Sequence, residues 1–144
     1  MKRLVLILGL IAAAGVCVFL VRGALTGAGV EIDLGTSARF TDEEMQGAAD
    51  AVLDKFGEFK GCKLLRVWYD EAASDKYIAG EQENPNSAIF LFPPEHVVVL
   101  YSDFRSPVRA SGGFNPNQVY EGWSWILARE GAGRPWQVVN YGYG

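Results

Sequence analysis

Apolar residues follow three different patterns along the chain. From Leu4 to Val21 they form an unbroken run of eighteen residues. At about 1.5 Å of rise per residue, that run spans about 27 Å as a helix, close to the hydrocarbon thickness of a bilayer. In lipid such a run must satisfy its backbone internally, so it predicts a membrane helix. Further on, Met45, Ala48, Ala49, Val52, Leu53 and Phe56 recur at helical spacing. They predict an amphipathic helix over 42–56, with Gly57 as its stop. Thr41 and Glu44 form a capping-box pattern, and Phe40 with Met45 a hydrophobic staple. Asp42, Glu43 and Glu44 place negative charge at the positive end of the helix dipole.

After residue 60 the pattern changes to strands. Branched and aromatic residues predict strands at 62–70, 97–105, 119–129 and 136–143, with a short one at 88–92 ended by Pro93-Pro94. Residues 71–88 read as a helical turn followed by a polar loop, and 106–117 as a loop. The glycines between 23 and 39 mark a tether. The predicted fold class is α+β: an N-terminal membrane helix, then one amphipathic helix packed on a curled antiparallel sheet of three to five strands. The expected organisation is an anchor or signal segment at 1–22, a tether at 23–39 and an extracytoplasmic domain at 40–144. Strand 119–129 is expected at the centre of the sheet, between its two sequence neighbours.

If the two hairpins pair symmetrically about their loops, Val97, Val99, Tyr101 and Asp103 share a face with Leu127, Trp125, Trp123 and Glu121, together with Trp136 and Val138. Val98, Leu100, Phe104, Tyr120, Ile126, Val139, Tyr141 and Tyr143 then share the other. The three-tryptophan face is expected to cover the helix. The second apolar face is expected to meet a protein partner, a second copy, a ligand or the rest of the chain. A slip of one residue reverses these assignments.

Charge adds a location. Lys2 and Arg3 precede the apolar run, Arg22 follows it, and no acidic residue occurs before Glu31. The positive-inside rule keeps the N-terminus in the cytoplasm and sends the domain out, as a single-pass membrane protein. The alternative is a cleaved signal with a site near Thr26-Gly27-Ala28 and a secreted product. Lipidation at Cys17 is a third reading, although Val16 precedes it and the apolar run continues beyond it. From residue 23 onward ten basic residues face seventeen acidic ones, a net of −7. That balance argues against nucleic acid as a partner. Cys62 is the only other cysteine, so the domain has no internal disulfide and must rest on its core.

The stretches Phe40-Thr41-Asp42-Glu43-Glu44, Gly61-Cys62-Lys63-Leu64-Leu65 with Trp68-Tyr69-Asp70, Trp125 to Gly131, Trp136-Gln137-Val138-Val139 and Asn140-Tyr141-Gly142-Tyr143 carry a resemblance. The chain resembles the nuclear transport factor two-like and cystatin-like folds. Residues 40–144 resemble, more narrowly, an uncharacterised family of exported bacterial proteins. The resemblance implies a fold and a location. It implies no activity, because that fold hosts enzymes, pocket binders and dimerisation modules alike.

No residue pattern fixes a reaction, and neither a cofactor nor a metal is expected. The candidate ligand-binding residues are Tyr101, Asp103, Glu121, Trp123 and Trp125. As cross-strand neighbours at the rim of an aromatic pocket, Asp103 and Glu121 could supply an acid or base for a hydrolase or isomerase. The plainer reading places both in water at strand ends, or paired with Arg105 or Arg66. His96 is the only histidine, and no spaced ligand set accompanies it. The acidic residues between Asp70 and Glu83 lack the regular oxygen-ligand spacing of a calcium loop. The leading expectation is a non-catalytic extracytoplasmic domain that contacts a protein or envelope component. The alternatives are a small-ligand pocket and an enzyme using Asp103 and Glu121.

Overall fold

The computed structural model describes residues 29–109 and 112–143. The apolar run at 4–21 and the candidate cleavage site lie outside these residues. Among the described residues, no helix is long and apolar enough to cross a membrane. The architecture is α+β: one five-stranded sheet with a helix on each face.

The first helix, α1 (Asp42–Phe56), has the predicted bounds. Its capping box is formed: the Glu44 N–H donates to Thr41 Oγ1 at 3.2 Å, and the Thr41 N–H donates to Glu44 Oε2 at 2.8 Å. Met45, Ala48, Ala49, Val52 and Phe56 are its buried stripe. The strands are β1 (Glu31–Asp33), β2 (Lys63–Trp68), β3 (Val97–Arg105), β4 (Val119–Ala128) and β5 (Gln137–Gly142). Their spatial order follows the chain, so β4 lies between β3 and β5 as expected, but the middle strand of the five is β3. β1 pairs parallel with β2, and the remaining pairs are antiparallel. The sheet is therefore mixed, not wholly antiparallel, and it begins inside the stretch expected to be a tether.

A second helix, α2 (Glu71–Glu81), replaces the expected helical turn and loop. Asp70 caps it, accepting the Ala73 N–H at 2.9 Å. Only Ser74 and Ile78 of this helix are buried, so no apolar stripe announces it. The anticipated strand at 88–92 is a series of turns. Ile89 is buried there, while Phe90 and Leu91 point to solvent.

Two apolar clusters lie on opposite sides of the sheet. The larger joins α1 to Val67, Val98, Leu100, Phe104, Trp125, Leu127 and Trp136. The smaller places Ile78 of α2 and Ile89 against Val97, Val99, Ile126 and Ala128. The tryptophans do face α1. The expected pairing of faces is off by one residue, however, because Val98 lies opposite Leu127 and Leu100 opposite Trp125. Val97, Val99, Tyr101 and Asp103 consequently face away from the tryptophans. Of the occupants expected for the second apolar face, a partner, a ligand or the rest of the chain, the last is seen: Ile78 of α2 and Ile89 pack on it.

α2 also completes the sheet's hydrogen bonding. β2 reaches only as far as the Trp68–Tyr101 pair. Two residues beyond that pair, the Val99 N–H donates to the buried Ser74 hydroxyl at 3.0 Å. A helix side chain thus serves an amide that a longer β2 would have paired.

Candidate functional site

The α1 face of the sheet ends in aromatic rings, arranged by one irregularity. Tyr120 pairs with Phe104 and Trp123 with Ser102, so Glu121 and Gly122 together oppose Asp103 alone. This is a β-bulge. Gly122 takes φ +68°, a left-handed conformation that suits glycine. Its N–H donates to Asp103 Oδ1 at 3.0 Å. The extra residue brings Tyr120 and Trp123, three apart in sequence, to the same face.

Phe104 stacks on Tyr120 at 5.1 Å between ring centroids, and Trp123 meets Phe104 edge-on at 5.5 Å. Phe59, from the turn after α1, lies 5.3 Å from Trp125 and 5.4 Å from Phe114. Phe114 comes from the 106–117 loop, where the Asn115 N–H donates to the Tyr120 hydroxyl at 2.8 Å. Trp125 is fully buried, and its indole N–H donates to Ser102 Oγ at 2.8 Å. β5 continues the cluster outward: Tyr141 lies 5.5 Å from Trp125, and Tyr143 lies 5.2 Å from Trp123.

The outer rings are open to water. Tyr141 is 43% exposed and Tyr143 59% exposed. The Trp123 Nε1 atom is buried without a hydrogen-bond partner among the described residues. Burial pushes the Tyr143 hydroxyl above the ordinary tyrosine range, and the neighbouring Tyr120 adds to the shift. Like any tyrosine hydroxyl it can donate a hydrogen bond.

The opposite end of the same face is closed. Arg129 is buried and donates to Glu44 Oε1 at 2.6 Å, to His96 Nδ1 at 3.3 Å and to the Glu95 carbonyl at 3.3 Å. Its guanidinium lies 4.6 Å from the Trp136 ring centroid, and the Trp136 N–H donates to the Glu44 carbonyl at 2.9 Å. Hydrogen bonds from Arg129 and then from the Thr41 backbone hold the Glu44 carboxyl below its ordinary range.

Of the five candidate residues, Trp123 and Trp125 share the α1 face, and Asp103 and Glu121 oppose each other at the bulge. Tyr101 is on the α2 face, stacked on Trp68 at 5.9 Å. Asp103 serves the bulge, and Glu121 is exposed. The pocket expected between Tyr101 and the tryptophans is not assembled, since the sheet separates them. His96, in the turn Pro94–His96, accepts from Arg129. Burial raises the Cys62 thiol, which disfavours its reactive form. Among the described residues, no group of three or more His, Cys, Asp or Glu residues is placed to hold a metal ion. Three of the acidic residues near α2 have structural partners: Asp70 caps the helix, Glu71 accepts the Ala38 N–H at 3.0 Å, and Asp75 pairs with Arg39.

Tyr141, Tyr143, Phe59 and Phe114 had no place in the sequence-based set. Their signal was the density of rings between 114 and 143, with Tyr141 and Tyr143 assigned to the wrong face because a bulge at Val139 adds a residue to β5. No known protein family, curated protein or solved structure matches this chain.

Proposed function

We propose that the chain is a non-catalytic docking domain, held outside the cytoplasmic membrane by its N-terminal apolar run. Its contact with a protein or envelope component is made through the aromatic rim of Trp123, Tyr141 and Tyr143. The exported-family reading belongs to the same proposal and rests on the sequence stretches quoted above. The observation that carries it is the exposure of Tyr141 and Tyr143 at the open end of a ring cluster. Tyrosine and tryptophan supply large, stiff contact area with a polar tip, which suits them to interfaces. The opposite sheet face, by contrast, spends its apolar area on α2.

Two measurements test this. Alkaline carbonate extraction of cells expressing the full chain should leave it in the membrane pellet. A soluble product beginning near Gly29 would replace the anchor with a cleaved signal. A photo-crosslinking residue at Tyr143 should give a discrete adduct in native membranes, and one at Glu43 on exposed α1 should not. Equal labelling from both positions would sink the docking surface.

A further inference from the structure

With seventeen acidic residues in the chain, a basic side chain has carboxylates to choose from, and most find one. Arg39 pairs with Asp75, Lys55 with Glu58, Arg66 with Glu31 and Asp33, Arg129 with Glu44 and Arg134 with Glu130. Lys60, Lys63, Arg105 and Arg109 are exposed and make no ion pair among the described residues. The fold gathers these four at one end of the sheet. Lys63 and Arg105 are cross-strand neighbours on β2 and β3, a like-charged pairing that costs stability. Gly61, between Lys60 and Lys63, lies so close to Pro107 that a Cβ there would be 3.2 Å from the proline Cβ. That approach sets Lys60 beside the segment leading to Val108 and Arg109, and Val108 is 78% exposed. The carboxylates of this end are Asp54, Glu58, Asp103 and Glu121. Glu58 is held by Lys55 at 2.8 Å, and Asp103 accepts the Gly122 N–H at 3.0 Å.

The chain enters the sheet from the same end. β1 runs parallel to β2, from the level of Arg66 to that of Trp68, and so away from the Lys63–Arg105 pair. The residues before β1 therefore reach it from the side of that pair. Arg22, which follows the apolar run, stands seven residues before Gly29, at most about 25 Å of extended chain.

We infer that this end rests on the anionic phospholipid headgroups of the membrane that holds the chain, with the four basic side chains on lipid phosphates and Val108 in the interface. The inference rests on the anchoring half of the proposed function and adds a contact to it. Unpaired cations around an exposed apolar side chain match a surface that offers negative charge above hydrocarbon. The short reach of the chain before β1 favours the membrane over an acidic protein, because it keeps this end near the bilayer. Thirteen of the seventeen acidic residues lie elsewhere, and charges more than about 8–10 Å from the headgroups are largely screened at physiological ionic strength. The aromatic rim occupies the α1 face of the same end, and tyrosine and tryptophan are common at headgroup level.

The test uses the full chain with Cys17→Ser and Cys62→Ser, reconstituted in vesicles that carry a nitroxide-headgroup lipid. The vesicles are phosphatidylglycerol and phosphatidylcholine in equal parts, or phosphatidylcholine alone. Val108→Cys bears a fluorophore, and Leu91→Cys, 87% exposed in the turns before β3, is the control from the other end of that strand. In the anionic vesicles the Val108 label should be quenched about threefold or more above the Leu91 label. That excess should fall by about half or more in phosphatidylcholine alone, and likewise in the double variant Lys63→Gln with Arg105→Gln. The double variant should not lower the melting midpoint, since it relieves a like-charged pairing. Equal quenching of the two labels, or an excess that survives both removals of charge, overturns the contact. A chain that floats with the vesicles but leaves Val108 unquenched removes this contact alone and leaves the anchor standing. A chain that floats with neither vesicle removes the anchor and the contact with it.

Discussion

The two ends of the α1 face use similar residues to opposite ends. At one, Phe40 and Trp136 surround Arg129, whose guanidinium has a carboxylate, an imidazole and a carbonyl as partners. At the other, Trp123 lies among rings with its N–H unpartnered, and two tyrosines reach into water. The first end joins α1, the turn before β3 and the end of β4 with directional bonds that admit one arrangement. The second is held by ring packing, which is less directional and tolerates exchange of neighbours. A cation buried in a hydrogen-bonded cage fixes a fold, whereas rings left half-wet at a sheet terminus retain area for contact.

Mutations should separate the two ends by size of effect. The largest belongs to the ring beneath the open end: Trp125→Ala should cost roughly 3–5 kcal/mol and unfold much of the population, as read by urea titration. Near-full stability there would mean that the ring cluster is not core. Next is the closed end, where Arg129→Ala should cost about 2–4 kcal/mol, because Glu44 loses its charged partner while remaining only partly solvated. A smaller loss than from Thr41→Ala, expected at about 1 kcal/mol through the cap, would make the cage incidental.

The closed end should also respond to acid. The folded pKa of Glu44 is depressed, so its contribution is complete above the ordinary value of 4.5 and is lost as pH falls through the lower folded value. The melting midpoint should therefore drop more steeply below pH 4.5 in the parent than in Glu44→Gln. Parallel profiles would remove Arg129 as the cause. The smallest stability effect belongs to the rim: Tyr143→Ser should change stability by no more than about 0.5 kcal/mol. It should nevertheless abolish the adducts formed from neighbouring positions. A large loss of stability would assign Tyr143 to the core.

How much of this was legible depends on whether local chemistry or long-range register decides. α1 was readable to its end residues because the cap, the staple and the apolar stripe all lie between Phe40 and Phe56. The three long strands were readable for a similar reason. Their pairing was legible only beside the 106–117 loop, where Phe104 meets Tyr120 in the symmetric register, because the bulge opposite Asp103 adds a residue that alternation cannot foresee. Gly122 was the available hint, a glycine inside an otherwise apolar strand. α2 was obscured because it buries a serine where a stripe would show an apolar residue. The cage around Arg129 unites residues 85 positions apart, which no spacing rule detects. Tyr101 failed as a partner of the tryptophans because of the bulge opposite Asp103, and Tyr141 was misplaced by the second bulge at Val139.

The hydroxyl of Ser74 gives α2 a built-in reporter. The Val99 amide is sequestered only while that helix lies on the sheet, since β2 has ended and no strand covers the position. Its deuterium uptake therefore measures undocking of α2 separately from global unfolding, which governs amides deeper in the β3–β4 ladder. A helix that lifts often would expose Val97, Val99, Ile126 and Ala128 together. The exchange rate of one backbone proton thus counts how frequently the second face becomes visible to its surroundings.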